Sequence, residues 1–252
     1  MHEITNISKA RRDALAERLS SIARLSVGLS HELNNVLGAI NSNVGIMHHH
    51  LPEDSPLLQN LDHITHASNH ALELTHILKI YTQRKTANHQ FSNLPGLLAP
   101  LIKTFADTLP GHIRLRDESS NANHDVIVCP AMFEQAVTGI LQNAVDALGG
   151  KAGEIHIATS NDCSHVAPEE GLFYGMLPTE RATMLEIRDT GEGIEPTVLE
   201  HILEPCFSTR IRGRGLGLTP AVGLVFHFNA AIQILSAPAR GTAMRLLLQT
   251  AE

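Results

Sequence analysis

Ala131-Met132-Phe133-Glu134-Gln135-Ala136-Val137-Thr138-Gly139-Ile140-Leu141-Gln142-Asn143-Ala144-Val145-Asp146-Ala147-Leu148 decides the fold of the C-terminal part of this chain. Its apolar residues at 133, 136, 137, 140, 141, 144 and 148 recur with the period of an α-helix and make a wide stripe. Pro130 stands at a first-turn position, where its missing N–H has no helical partner to lose. Such a helix must lay its stripe on another layer. Short segments rich in Ile, Leu and Val at 124–128, 154–159, 184–189, 231–236 and 243–249 supply one as strands. Further helices are expected at 94–109, 196–201 and 218–228. Strands mixed with helices, without regular β-α-β alternation, predict an α+β arrangement of one sheet covered on one face by helices. Residues 163–181 have no clear period and read as an insertion or long loop.

Three polar features border this framework. Asn143 lies at the edge of the apolar stripe, where an amide oxygen suits a hydrated Mg²⁺ or simply ends as a satisfied polar group. Asp189 ends a predicted strand and enters Asp189-Thr190-Gly191-Glu192-Gly193. Its carboxylate can accept a hydrogen bond from an adenine amino group while Gly191 and Gly193 let the backbone come close; alone, the same pattern is a common turn. Gly213-Arg214-Gly215-Leu216-Gly217 precedes a predicted helix and offers free backbone N–H groups to phosphates. Arg210, Arg212 and Arg214 concentrate positive charge there, fitting a phosphate lid better than a solvated basic loop.

The N-terminal part has a different rhythm. Leu15, Leu19, Ile22, Ser26, Leu29, Leu33, Val36, Ile40, Asn43 and Met47 alternate steps of four and three, a heptad seam. Leu51-Pro52-Glu53-Asp54-Ser55-Pro56 breaks the helix, with Ser55 as a cap. A second seam follows at Leu61, Ile64, Ser68, Ala71, Thr75 and Leu78. Two helices with apolar seams cannot bury both as a lone hairpin, which predicts a homodimeric four-helix bundle; packing on the second domain is the alternative. Residues 85–89 are polar and read as a hinge, giving a helical hairpin over 1–86 and a separate domain over 90–252. Off the seam, His31 points away from the packed stripe. Glu32 beside it can take the proton of one ring nitrogen, leaving the other to attack, and Asn35 shares the face of His31 and can position a water. A surface histidine on a solvated helix is the plainer reading of that site taken alone.

Composition narrows the classes. The 252 residues carry a formal net charge of −7 and no tryptophan, so nucleic acid is not an expected partner. No run of about 18 apolar residues predicts a membrane span. The three cysteines, Cys129, Cys163 and Cys206, lack metal-ligand spacing and read as free thiols in a reducing cytoplasm. His48-His49-His50 points in three directions on a helix and reads as solvated rather than metal-binding.

Taken in order, these segments resemble the bacterial two-component sensor histidine kinases. Ser30-His31-Glu32-Leu33-Asn34-Asn35 resembles the phosphoacceptor box of the nitrogen-regulation type, and Leu141-Gln142-Asn143-Ala144 the N box. Asp189-Thr190-Gly191-Glu192-Gly193-Ile194 resembles the first glycine box, Glu204-Pro205-Cys206-Phe207-Ser208-Thr209-Arg210 the F box, and Gly213-Arg214-Gly215-Leu216-Gly217-Leu218 the second glycine box.

The resemblance implies a gyrase-type α/β sandwich that binds ATP and Mg²⁺. His31 would then be the phosphoacceptor, Glu32 its acid/base partner and Asn35 a water-positioning residue for phosphatase activity. It implies Asn143 as Mg²⁺ ligand and Asp189 as adenine reader. Asp146, Gly191, Gly193, Arg210, Gly213, Gly215, Leu216 and Gly217 complete the nucleotide site. The implied activity is autophosphorylation followed by transfer to an aspartate of a response-regulator receiver domain; a regulator phosphatase and a non-catalytic dimeric scaffold are the rivals. The signal is expected through a separate sensory protein, or the chain is part of a longer kinase.

The sequence also departs from the family's habits. Val36 stands in place of a proline, Gly139 in place of the first asparagine of the N box, Leu203 and Cys206 in place of phenylalanines, and Asn229-Ala230-Ala231 in place of His-Gly-Gly.

Overall fold

The computed structural model describes residues 32–52, 55–82, 90–119, 125–176, 181–204, 207–209 and 217–250. The expectations for His31, the 85–89 hinge, Cys206, Arg210, Arg212, Gly213, Arg214, Gly215 and Leu216 lie outside these residues. The chain divides at Arg84 and Lys85 into two compact units.

The first unit is a helical hairpin. Helix α1 runs through residues 32–50, and α2 spans Leu58–Thr82. Pro52 and Pro56 break the chain between them, and the Ser55 hydroxyl accepts the Leu57 N–H at 3.4 Å. On α2 the expected seam is packed at Leu61, Ser68 and Thr75, while its Ile64 is exposed. On α1 the packed stripe lies one residue beyond the expected seam, at Asn34, Leu37, Asn41 and Val44. The reason is polar. Thr75 Oγ1 lies 2.5 Å from Asn34 Oδ1, Ser68 donates to the Leu37 carbonyl at 3.4 Å, and Asn41 Nδ2 donates to Asn69 Oδ1 at 3.0 Å. The hydroxyls of α2 thus select the polar stripe of α1, and Leu33, Val36, Ile40 and Met47 are left exposed.

The second unit is built on a six-stranded sheet. It comprises β1 (Gln90–Asn93), α3 (Leu94–Thr108), β2 (Ile113–Glu118), β3 (Asp125–Val128), α4 (Pro130–Ala147) and β4 (Gly153–Ser160). There follow β5 (Leu172–Gly175), β6 (Ala182–Asp189), α5 (Pro196–Leu199), α6 (Thr219–His227), β7 (Ala231–Ser236) and β8 (Thr242–Gln249). The sheet order is β2-β4-β6-β8-β7-β5, parallel only between β2 and β4, while β1 and β3 form a separate antiparallel pair. Asn93 caps α3 by accepting the Gly96 N–H at 3.1 Å. All seven stripe residues of α4, from Phe133 to Leu148, are buried, and α4 packs on β4, β6, α3 and α6.

Every strand and helix expected after residue 90 is present. The sequence reading left out β1, β2 and β5. Residues 163–181 are not simply a loop. Leu172–Gly175 forms the edge strand beside β7, and Val166, Phe173, Met184, Ala231 and Leu247 make a small apolar cluster there. A buried polar chain holds the preceding turn in place: Gln233 donates to the Ala167 and Glu170 carbonyls at 2.8 and 3.0 Å. Its own oxygen accepts from Arg245, which also bonds Glu186 at 2.6 Å. Gln233 is completely buried, and each of its polar atoms has a partner, as burial requires.

Candidate functional site

The turn after β6 is built by its neighbours. Thr190 is stapled to the start of β4: its N–H donates to the Glu154 carbonyl at 3.2 Å, and its hydroxyl accepts the Glu154 N–H at 3.0 Å. The Glu192 N–H donates to the Ala147 carbonyl at the end of α4, and the Ala239 N–H to the Glu192 carbonyl. Ser236 Oγ accepts the Ile194 N–H at 2.9 Å. Gly193 has φ +70, and a Cβ there would fall 2.0 Å from the Ala237 carbonyl oxygen, so only glycine fits. A Cβ on Gly191 would fall 2.6 Å from the Ala147 oxygen, which explains the second glycine by close approach to α4.

Asp189, 6% exposed, sits at the end of β6 above this turn. Its Oδ1 accepts the Gly191 N–H at 2.8 Å and the Thr242 N–H at 3.3 Å. Both bonds fall on one oxygen and fix the carboxylate plane. Burial pushes the Asp189 pKa above the ordinary aspartate value, and the N–H bonds from Gly191 and Thr242 pull against it. Thr242 and Ser236 bond each other through their hydroxyls at 2.8 Å and close the hairpin between β7 and β8. These two residues escaped the sequence reading; the only local signal is a Gly-Thr pair at the start of a strand.

On the helix side, Asn143 is half-buried, one turn beyond Gly139 on α4. Gly217, the last glycine of the second glycine loop, lies against both: a Cβ on Gly217 would meet Asn143 Oδ1 at 3.2 Å, and a Cβ on Gly139 would meet the Gly217 oxygen at 2.0 Å. Asp146 is exposed and accepts from Gln142 at 2.9 Å. The structure therefore gathers Asp189, Gly191 and Gly193 at the end of β6, and Asn143 on α4 with Gly217 against it, with the Ala147 carbonyl joining the first group to that helix. Glu32 and Asn35 are exposed on α1 in the other unit.

Among the described residues no group of three or more His, Cys, Asp or Glu is arranged to hold a metal ion. The amide of Asn143 offers a single neutral oxygen. That fits Mg²⁺, which keeps several waters and takes further ligands from substrate phosphates.

An anchored carboxylate at one strand end, with Gly217 against the facing helix, is the arrangement of an ATP-binding ATPase domain. Residues 129–252 match the histidine kinase-, DNA gyrase B-, and HSP90-like ATPase family. The full-length relatives are sensor kinases. The chain is 28% identical over 93% of its length to the sensor kinase CckA of Brucella abortus, covering 25% of that protein. It is 25% identical over 84% of its length to the sensory histidine kinase/phosphatase NtrB of Escherichia coli O157:H7, covering 58% of it. The chain thus spans only part of the curated relatives it matches. Among solved structures, full-length ShkA in complex with AMPPNP superposes with a TM-score of 0.69 at 15% identity, over 91% of this chain and 46% of that one. The Acinetobacter baumannii histidine kinase AdeS gives 0.56 at 18% identity, over 88% of this chain and 98% of that one. The catalytic unit has the fold of a histidine kinase catalytic domain. Among the described residues no helix is long and apolar enough to cross a membrane.

Proposed function

We propose that this chain is an ATP-dependent protein histidine autokinase acting in the cytoplasm as a homodimer, with residues 1–86 as phosphoacceptor hairpin and 90–252 as catalytic domain. The observation that carries the reading is the Asp189 carboxylate, held on Oδ1 by two backbone N–H groups so that Oδ2 is aimed by the backbone rather than by a mobile side chain. That carboxylate reads the adenine amino group, while Gly191 and Gly193 let the base approach. Arg210, Gly213, Gly215, Leu216 and Gly217 bind the phosphates, and Asp146 completes the nucleotide site. Asn143 would hold Mg²⁺, which when bound would neutralise charge on the phosphates.

A ring nitrogen of His31 bonds to the γ-phosphorus, the bridging β–γ P–O bond breaks, and ADP leaves with that electron pair. Glu32 takes the proton of the other ring nitrogen. Positioning and charge neutralisation carry most of the catalysis. The phosphoryl group then passes to an aspartate of a receiver domain, and Asn35 orients a water for the reverse traffic. The outward stripe Leu33, Val36, Ile40 and Met47 supports a second copy as partner, because it is apolar, lies on one helix face and is uncovered within the hairpin.

His31→Ala is expected to abolish labelling by γ-labelled ATP while nucleotide binding persists; labelling of that variant would overturn the assignment. Asp189→Asn keeps the backbone bonds to Oδ1 and is expected to weaken ATP binding about ten- to a hundredfold without lowering stability. A second reading, a phosphatase of the partner regulator, is favoured by the likeness to the kinase/phosphatase NtrB. Comparing Asn35→Ala with Asp189→Ala on dephosphorylation of the partner separates the two.

A further inference from the structure

We infer that Gly139 is a positioning residue of the nucleotide site: the side chain it lacks is the seat on which the end of the second glycine loop rests against α4. Gly139 lies in the middle of an eighteen-residue helix, where glycine is disfavoured relative to alanine. The neighbourhood explains its presence. A Cβ built on Gly139 would fall 2.0 Å from the Gly217 carbonyl oxygen, 2.9 Å from its carbonyl carbon and 3.3 Å from its Cα. These are backbone atoms, which cannot rotate away.

Nor can Gly217 retreat freely, because the residues after it are committed. Leu218 and Thr219 are buried, and α6, which begins at Thr219, packs along α4. On its other side, Gly217 lies against the amide of Asn143. Gly139, Gly217 and Asn143 therefore form one stack, in which the space at 139 sets how closely the loop approaches the amide at 143. Where the resembling family has an asparagine side chain, this chain places a backbone carbonyl. A side chain at 139 would lift Gly217 from α4 and away from the Asn143 amide, and with it the point at which the loop joins α6.

This inference rests on the ATP reading of the site, and the experiment separates the two. Binding of ADP with Mg²⁺ to the full chain is measured by calorimetry for the unaltered protein, Gly139→Ala, Gly139→Asn and Gly217→Ala. Helical content and melting are followed by circular dichroism. Gly139→Ala is expected to weaken ADP by about tenfold or more, since ångström-scale misplacement has effects of that order. Gly139→Asn should weaken it further. Gly217→Ala should weaken it least, because its Cβ meets only the movable Asn143 amide at 3.2 Å.

Melting of Gly139→Ala is expected to fall modestly at most, since the helix preference of alanine offsets only part of the clash with the Gly217 carbonyl. In autophosphorylation, KM for ATP should rise with kcat at saturating ATP retained. Unchanged ADP affinity and KM in folded Gly139→Ala overturns the inference while leaving the ATP reading intact. Failure of the unaltered protein to bind ADP overturns the ATP reading itself. Should Gly139→Asn not fold, Gly139→Ala and Gly217→Ala still decide it by the order of their affinities.

Discussion

Phe133 in α4 and Thr75 in α2 are both almost wholly buried, at 0% and 2% exposure, yet they lie in different kinds of interior. Around Phe133 the helices and sheet meet through Leu, Ile and Val, every polar atom of buried Gln233 is hydrogen-bonded, and Asp189 accepts two backbone N–H groups on Oδ1. Around Thr75 two helices meet through hydroxyls and amides, and Asn41 Oδ1 is buried without a hydrogen-bond partner. Val44 packs inside the hairpin, but Leu33, Val36, Ile40 and Met47 of α1 face outward. The second unit therefore closes its own core, whereas the hairpin buries polar residues between its helices and leaves those four exposed. A half-polar seam is weaker than an apolar one, so the proposed dimer would add to the hairpin's stability by covering the outer stripe.

Four changes test this contrast, taken from the largest expected effect to the smallest. Phe133→Ala should cost about 3–5 kcal/mol of the catalytic unit's stability, read by urea unfolding with ADP binding as the probe. A loss below about 1 kcal/mol would show that this core is not the closed one described. Val36→Asp combined with Ile40→Asp removes about 3 kcal/mol of apolar burial per protomer if the outer stripe is the dimer surface. Sedimentation should then report a monomer with unaltered ADP affinity, and a persisting dimer would mean another surface joins the copies.

Thr75→Val leaves Asn34 Oδ1 without its donor and should destabilise the hairpin by about 1–3 kcal/mol. Adding Asn34→Leu should recover most of that loss, because an apolar pair needs no donor. No recovery would place the cost elsewhere than in the polar seam.

The smallest effect is one of pH. The raised pKa of Asp189 means that it takes up a proton at a higher pH than an ordinary aspartate. Since Oδ1 already accepts two N–H bonds, that proton goes to Oδ2 and turns an acceptor into a donor facing the adenine amino group. ADP affinity should therefore begin to fall, on acidification, above the usual aspartate range. The stability contribution of the same group runs oppositely. The folded state holds the proton more tightly than the unfolded one, so the contribution is present at low pH and lost as pH rises through the folded pKa. Parallel titrations of ADP affinity and melting, with Asp189→Asn as control, would break this assignment if the two moved together.

Much of the catalytic unit was legible because its signals are local. The stripe of α4, the capping prolines and the β-branched runs report their own periodicity, and so did Asp189 with its two glycines. Strands β1, β2 and β5 were not legible for the same reason: Gln90–Asn93 and Ile113–Glu118 are mostly polar, exposed strands, and Leu172–Gly175 is held by a partner strand and by Gln233, sixty residues away. Thr242 was missed because its role is played by a backbone N–H, which no side-chain motif announces.

The sequence by itself determined the two-part organisation, the helices and most strands of the catalytic unit, and the residues that resemble a kinase site, since each depends on near neighbours in the chain. Only the tertiary structure decided which stripe of α1 faces α2, because that choice compares hydroxyls and amides with hydrocarbon across two helices. It alone revealed that the missing side chain at Gly139 is filled by the carbonyl of Gly217, a close approach between residues 78 positions apart that no local pattern encodes.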